Sequence, residues 1–359
     1  MARITLETLR HSYVEKPGSD VDWALASLDL EWTDGGAYAL LGPSGCGKTT
    51  LLNIISGLLR PTEGRVLFDG TDVTDKDPVD RHVAQVFQFP VVYDTMSVFD
   101  NLAFPLRNRG VAEPAVRERV TEVARMLELD GLLARRASGL SADGKQKISL
   151  GRGLVRSDVN VVMFDEPLTV IDPHLKWVLR SKLKEVHQRF GNTMIYVTHD
   201  QTEALTFADQ VVVMLGGRVV QIGTPVDLFE APRHTFVGHF IGSPGMNILP
   251  CAVDAGKVVF DGETVALDSP PRAVPAGTLE LGVRPEFVRF APDGIAVEVV
   301  KVDDLGRHQV VEVRRGAHAI KLIAAEGEAI PSERPRIAFD PRRARVYADG
   351  WMVEGGASR

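Results

Sequence analysis

The chain has too little cysteine for a disulfide framework: its 359 residues include two thiols, Cys46 and Cys251, so both are expected reduced, in a reducing compartment. It has no apolar run approaching the ~20 residues of a membrane-spanning helix, and Met1-Ala2-Arg3-Ile4-Thr5-Leu6 lacks the apolar stretch of a secretory signal. The expected location is cytoplasmic, with any transport pore on another chain. A surplus of positive charge is also missing. With 41 Lys and Arg against 48 Asp and Glu, and a net charge of −7, nothing electrostatic calls for a nucleic-acid partner. Length argues against a single core, since cores rarely grow beyond ~250 to 300 residues, so about two domains are expected.

What is present is a phosphate-binding loop. Gly42-Pro43-Ser44-Gly45-Cys46-Gly47-Lys48-Thr49-Thr50 fits the P-loop pattern without a mismatch. Gly42, Gly45 and Gly47 allow the backbone to curl so that consecutive N–H groups face a phosphate. Lys48 supplies a positive charge, and Thr49 a hydroxyl suited to Mg²⁺. The apolar run Leu51, Leu52, Ile54, Ile55 reads as a helix whose positive end faces the phosphates. Ala37-Tyr38-Ala39-Leu40-Leu41 before the loop reads as a buried strand, the context the motif requires.

A second element narrows the class. Val161-Val162-Met163-Phe164 reads as a buried strand ending in Asp165-Glu166. Two adjacent carboxylates at a strand end can also be solvated caps. Beside a nucleotide they divide the work: Asp165 holds Mg²⁺ through water, and Glu166 orients or deprotonates the attacking water. The Asn/Thr-Lys-x-Asp tetrapeptide that reads guanine is absent.

With these motifs in order, the chain resembles the ATP-binding cassette (ABC) family over nearly its whole length. The resemblance implies ATP and Mg²⁺ as ligands and assigns further residues. Tyr13 matches the aromatic that stacks on adenine, though alone it also reads as a strand aromatic in a core. Gln88, in Val86-Phe87-Gln88, matches the amide that reaches Mg²⁺ and the attacking water, giving Thr49, Gln88 and Asp165 as the metal set. His199, in Val197-Thr198-His199-Asp200, matches the histidine that contacts the γ-phosphate; alone it also reads as a strand-end cap. Asp172 matches the aspartate that crosses to a partner subunit.

The chain departs from the family at the signature loop. Where the family reads LSGGQ, this chain has Leu140-Ser141-Ala142-Asp143-Gly144. In the family this loop starts a helix and closes on ATP held by the opposite subunit. Ser141 remains as a phosphate ligand. Asp143 either occupies the anion-favouring end of the helix, repelling phosphate unless Lys145 and Lys147 offset it, or serves as a helix N-cap. The departure implies an asymmetric pair with a second ATPase subunit, a homodimer being the alternative.

The expected architecture is α/β: a P-loop ABC ATPase domain over residues 1–242, with a parallel-sheet core and a helical subdomain at about 90–156. Val116, Val120, Val123, Met126 and Leu127 give that subdomain its helical spacing. Short strands follow, including Val258-Val259-Phe260, Leu279 to Val283, Ile295 to Val300 and Gln309 to Val313, and predict a small all-β barrel over 243–349. A disordered tail is expected over 350–359. Arg284-Pro285-Glu286 resembles the OB-type accessory domain of carbohydrate-importer ATPases, and the segment from Lys145 to Arg156 resembles glycerol-type importers. That resemblance implies two transmembrane permease subunits, an external solute-binding protein, a peripheral place at the cytoplasmic membrane face, and a polyol or sugar as solute. A soluble cassette ATPase uncoupled from transport, or a weakly hydrolytic regulatory partner, is the rival reading.

Overall fold

The computed structural model describes residues 2–254, 256–271 and 275–354. They form two compact units, Met1–Pro225 and Val226–Arg359.

In the first unit, β1 (Ile4–Ser12) and β2 (Trp23–Trp32) pair antiparallel, and β3 (Ala37–Leu41) leads into helix α1 (Lys48–Ser56). Strands β4 (Glu63–Phe68) and β5 (Thr71–Asp72) complete an antiparallel sheet in the order β2-β1-β4-β5. After β6 (Val83–Val86) come helices α2 (Val98–Arg107), α3 (Glu113–Met126) and α4 (Ala142–Leu154). Next, β7 (Val161–Asp165), α5 (Pro173–Phe190), β8 (Met194–Thr198), α6 (Gln201–Phe207), β9 (Gln210–Leu215) and β10 (Arg218–Gly223) close the unit. The second sheet runs β10-β9-β3-β8-β7-β6, parallel except for β10, which folds back on β9 through Gly216-Gly217.

Every residue of β3, β7 and β8 is buried, as expected of parallel strands covered on both faces. Helix α1 shares one core with both sheets: Leu51, Leu52, Ile54 and Ile55 lie with Ile4, Leu6 and Val66 from one and Leu40, Met163 and Ile195 from the other. Helices α2, α3 and α4 form the expected helical subdomain. Their close packing depends on Gly151, where an added Cβ would lie 2.5 Å from Leu102 Cδ2 and 3.2 Å from Leu127 Cδ1.

The second unit opens with α7 (Pro225–Glu230) and α8 (Thr235–Phe240) and continues in short strands. Strands β11 (Asn247–Pro250), β12 (Ala252–Asp254), β13 (Lys257–Phe260), β14 (Glu263–Val265), β15 (Leu279–Val283) and β16 (Val288–Ala296) come first. They are followed by β17 (Glu298–Asp304), β18 (His308–Arg315), β19 (His318–Ala325), β20 (Arg336–Phe339), β21 (Arg345–Ala348) and β22 (Trp351–Met352). All the pairings are antiparallel, around a core that includes Phe260, Leu281, Val311, Val313, Ile320 and Ile337.

Three expectations differ from this arrangement. The division falls at Pro225 rather than at residue 242, because α7 and α8 are tied to the barrel by the buried Arg284 guanidinium. It donates to the carbonyls of Leu228 at 3.3 Å, Phe229 at 2.5 Å, Gly238 at 3.2 Å and Ile241. Ile295 to Val300 is not one strand. The chain changes partner at Val297, whose N–H donates to the Pro335 carbonyl, so β16 pairs with β20 and β17 with β18. Finally, residues 350–354 are ordered rather than tail, since β22 pairs with β21 and the Trp351 ring meets the His234 ring edge-on. Residues 355–359 of that expected tail lie outside the described residues.

Candidate active site

The site forms where four parallel strands end. The P-loop follows β3, Asp165 and Glu166 close β7, His199 follows β8, and Gln88 lies two residues beyond β6. With β8 between β3 and β7, the loops leave a crevice at the carboxyl ends of the strands, where open α/β sheets bind ligands.

Gly45 and Gly47 have φ of 80° and 99°, a left-handed backbone that disfavours any side chain. An added Cβ at Gly47 would also lie 2.6 Å from the Ala24 carbonyl oxygen. Lys48 is buried, and its Nζ donates to the carbonyls of Gly42 at 2.8 Å and Pro43 at 3.0 Å, so the loop wraps its own ammonium. The Thr49 hydroxyl donates to Asp165 Oδ1 at 3.3 Å, joining P-loop and β7. Burial pushes the Asp165 carboxyl up, the Thr49 hydrogen bond opposes this, and the Glu166 charge adds to it.

Glu166 has φ of 46°, a conformation that costs a non-glycine residue about 1–2 kcal/mol. Its N–H donates to the Val197 carbonyl at 2.9 Å, and its Oε2 lies 3.1 Å from His199 Nδ1 and 3.4 Å from the Thr169 hydroxyl. Carboxylate and imidazole therefore meet above the strand ends. Tyr13 presents an exposed ring beside this site. Its hydroxyl is 3.1 Å from Thr50 Oγ1, and the His11 ring meets it edge-on at 4.7 Å.

Residues 25–169 match the ABC transporter family, and residues 242–288 match the MalK OB fold domain. The chain is 40% identical over 319 residues to the sn-glycerol-3-phosphate import ATP-binding protein UgpC of Bordetella pertussis (strain Tohama I), covering 88% of each chain. It is 40% identical over 341 residues to the UgpC of Rhodopseudomonas palustris (strain BisB18), covering 93% of this chain and 89% of that one. The chain belongs to the ABC transporter family of ATP-binding subunits. It binds and hydrolyses ATP. Among solved structures it is similar to cbiO1 of Clostridium perfringens, part of an ABC transporter complex, with TM-score 0.58, 27% identity, and coverage of 64% of this chain and 90% of that one.

In this ABC ATPase, Ser141 and Asp172 lie at helix starts. Ser141 caps α4 by accepting from the Gly144 N–H at 3.3 Å, and Asp172 caps α5 by accepting from the His174 N–H at 2.9 Å. The reading of Asp143 as the N-cap therefore falls. Asp143 sits in the first turn of α4, with a buried Oδ1 that has no hydrogen-bond partner. The two lysines do not offset it, because Lys145 pairs with Asp94 at 2.7 Å and Lys147 with Glu128 at 3.6 Å.

Sequence reasoning missed two buried side chains that hold the site together. Gln146 Nε2 donates to the Pro167 carbonyl at 2.7 Å and the Phe87 carbonyl at 3.4 Å, linking α4 to the segments beyond Glu166 and before Gln88. Arg81 donates to the carbonyls of Ile54 and Ile55, at the C-terminal end of α1. Neither belongs to a spaced motif. Gln146 lies in the segment from Lys145 to Arg156 singled out by resemblance, but only the fold shows what either side chain holds.

Proposed function

We propose that this ABC ATPase energises a membrane importer of a small polyol, polyol phosphate or sugar, with glycerol and glycerol 3-phosphate favoured. The observation that carries the reading is the pairing of this site with a barrel that matches the MalK OB fold domain, in a chain whose curated relatives are named glycerol-3-phosphate import proteins. Among the described residues no helix is long and apolar enough to cross a membrane. In this reading the permeases are separate chains and this subunit is peripheral at the cytoplasmic face. A groove of about 290 Å³ between β6, α2 and α4, lined by Phe87, Val91, Phe104, Arg109, Arg152 and Arg156, supports permease docking on the helical subdomain. A solute-binding protein outside the membrane completes the complex.

Lys48 and the P-loop amides bind the phosphates, and Tyr13 stacks on adenine. Among the described residues no group of three or more His, Cys, Asp and Glu could by itself hold a metal. Mg²⁺ does not need one, because it keeps several waters and binds through one or two carboxylates and substrate phosphates. The oxygen donors of Thr49 and Asp165, which already meet at 3.3 Å, fit that chemistry, with Gln88 as the third contact. When bound, the metal would supply neutralisation of the nucleotide's phosphate charge. Glu166 orients and deprotonates the attacking water, and His199, held against Glu166, contacts the γ-phosphate. Ser141 and Asp172 face the ATP site of a second ATPase subunit.

Separating binding from hydrolysis tests the reading. Lys48→Ala should weaken ATP binding. Glu166→Gln should leave binding intact and lower turnover by ~10² to 10⁴, the usual loss on removing a general base. Near-normal steady-state turnover by Glu166→Gln would remove that assignment. Uptake assays with labelled glycerol and glycerol 3-phosphate in cells lacking this chain test the solute.

A further inference from the structure

Glu203 lies in the first turn of α6 with 3% of its surface exposed, and none of the chemistry above uses it. An Asp cap followed three residues later by Glu reads as a capping box, in which the glutamate turns back to the cap. Asp200 does cap the helix, accepting from the N–H groups of Thr202 at 2.7 Å and Glu203 at 3.3 Å. The Glu203 carboxylate instead enters the fold. Its Oε2 accepts from the Thr198 hydroxyl at 2.8 Å and the Tyr196 hydroxyl at 3.1 Å, and its Oε1 faces Lys176 Nζ of α5 at 3.4 Å. Thr198 Oγ1 in turn accepts from the Asp200 N–H at 3.0 Å.

These bonds enclose His199. Thr198 before it is held by Glu203 directly, and Asp200 after it is held through the Thr198 hydroxyl and through its own cap to the Glu203 N–H. The imidazole between them meets Glu166 at 3.1 Å. Lys176 extends the network to α5, which begins one turn earlier at the Asp172 cap. Arg180 of α5, also buried, lies close enough to influence Tyr196, whose hydroxyl is kept protonated by burial and by the Glu203 charge. A carboxylate is costly to bury unless its oxygens are hydrogen-bonded and a cation pairs it, and here both conditions are met.

We infer that Glu203 is a positioning residue for ATP hydrolysis, holding the backbone on both sides of His199 so that the imidazole meets Glu166, and linking that placement to α5. The inference rests on the hydrolytic reading, which wild-type turnover and its loss in Glu166→Gln test separately.

The experiment is a double-mutant cycle on the full chain, read as single-turnover hydrolysis rate and ATP affinity. Glu203→Leu should lower the rate by about 10- to 100-fold, the scale of a misplacement near 1 Å, while ATP affinity stays within about threefold. Glu203→Gln keeps an acceptor for Thr198 and Tyr196 and should recover most of the rate. In a His199→Ala background, Glu203→Leu should change the residual rate by less than about twofold, because the group it positions is gone. Equal losses in both backgrounds, an unchanged rate, or a loss confined to ATP affinity would overturn the inference. Should Glu203→Leu not fold, Thr198→Val removes the linking hydroxyl alone. The same non-additivity with His199→Ala is then expected, and additive loss or an unchanged rate overturns the proposal.

Discussion

At the scale of single residues, motif spacing names candidate side chains for the site but does not say which way each one faces. Cys46 shows the difference. Its place beside phosphate-facing amides at a helix start suggests a lowered thiol pKa and ready alkylation that ATP would shield. In the structure Cys46 is 3% exposed, packed under the loop, with Sγ 3.9 Å from Lys48 Nζ. Burial raises its pKa, and the Lys48 charge does not offset that. Iodoacetamide should therefore label Cys46 slowly at neutral pH, at a similar rate with and without Mg-ATP, and quickly after denaturation. Rapid labelling of the native protein, measured by mass spectrometry, would contradict this. Cys251, half-buried and pushed up to about 11, should also be slow. The lysines of the signature segment carry the same lesson: Lys145 and Lys147 are legible as charges, while their engagement with Asp94 and Glu128 depends on residues far away in sequence, which only the fold brings near.

At the scale of elements, the central parallel strands of the first unit are legible because their burial is uniform, and α1 and α5 because their ends are marked. β7 and β8 are continuous apolar runs, and Gly57 and Gly191, at φ of 84° and 62°, end α1 and α5. What the pattern did not reveal is how the far end of α1 is held. Arg81 is 2% exposed and donates to the carbonyls of Ile54 at 2.7 Å, Ile55 at 3.0 Å, Thr74 at 2.8 Å and Lys76 at 2.9 Å. Its positive charge also complements the negative end of the helix dipole. Arg81→Leu leaves four carbonyls without this donor, and hydrogen bonds to a charged group are worth about 1.5–3 kcal/mol each. Allowing for water reaching the two outer carbonyls, the expected loss of stability is about 3 kcal/mol or more, read as a lower midpoint in denaturant. Since the other end of α1 carries Lys48 and Thr49, ATP affinity should fall as well. A variant as stable as the parent would show that water replaces the guanidinium.

At the scale of the whole molecule, two units are legible from length and from the change to short strands, but their division is not, because the turn residues near Gly242 mark a boundary in the pattern and only the fold shows Arg284 tying α7 and α8 to the barrel. The proposed asymmetry belongs to this scale too, since in the proposed reading the signature loop of one subunit serves ATP bound by another. In that reading this subunit brings its own Lys48, Thr49, Asp165, Glu166 and His199, yet would offer a partner a first turn carrying Asp143, whose buried Oδ1 has no hydrogen-bond partner. A carboxylate at that end of α4 competes with phosphate for the helix dipole, and Lys145 and Lys147 are committed elsewhere. A heterodimer with a second ATPase that carries an intact signature is therefore expected to hydrolyse ATP chiefly at this subunit's P-loop. In a reconstituted transporter, Glu166→Gln here should abolish most turnover, and the equivalent change in the partner should remove little. Replacing Ala142 and Asp143 by glycine should raise turnover at the partner's site, provided the partner keeps its own base. A homodimer that hydrolyses ATP and drives transport with the permeases as fast as any mixed complex would end the asymmetric proposal, because both of its sites would then be working against Asp143.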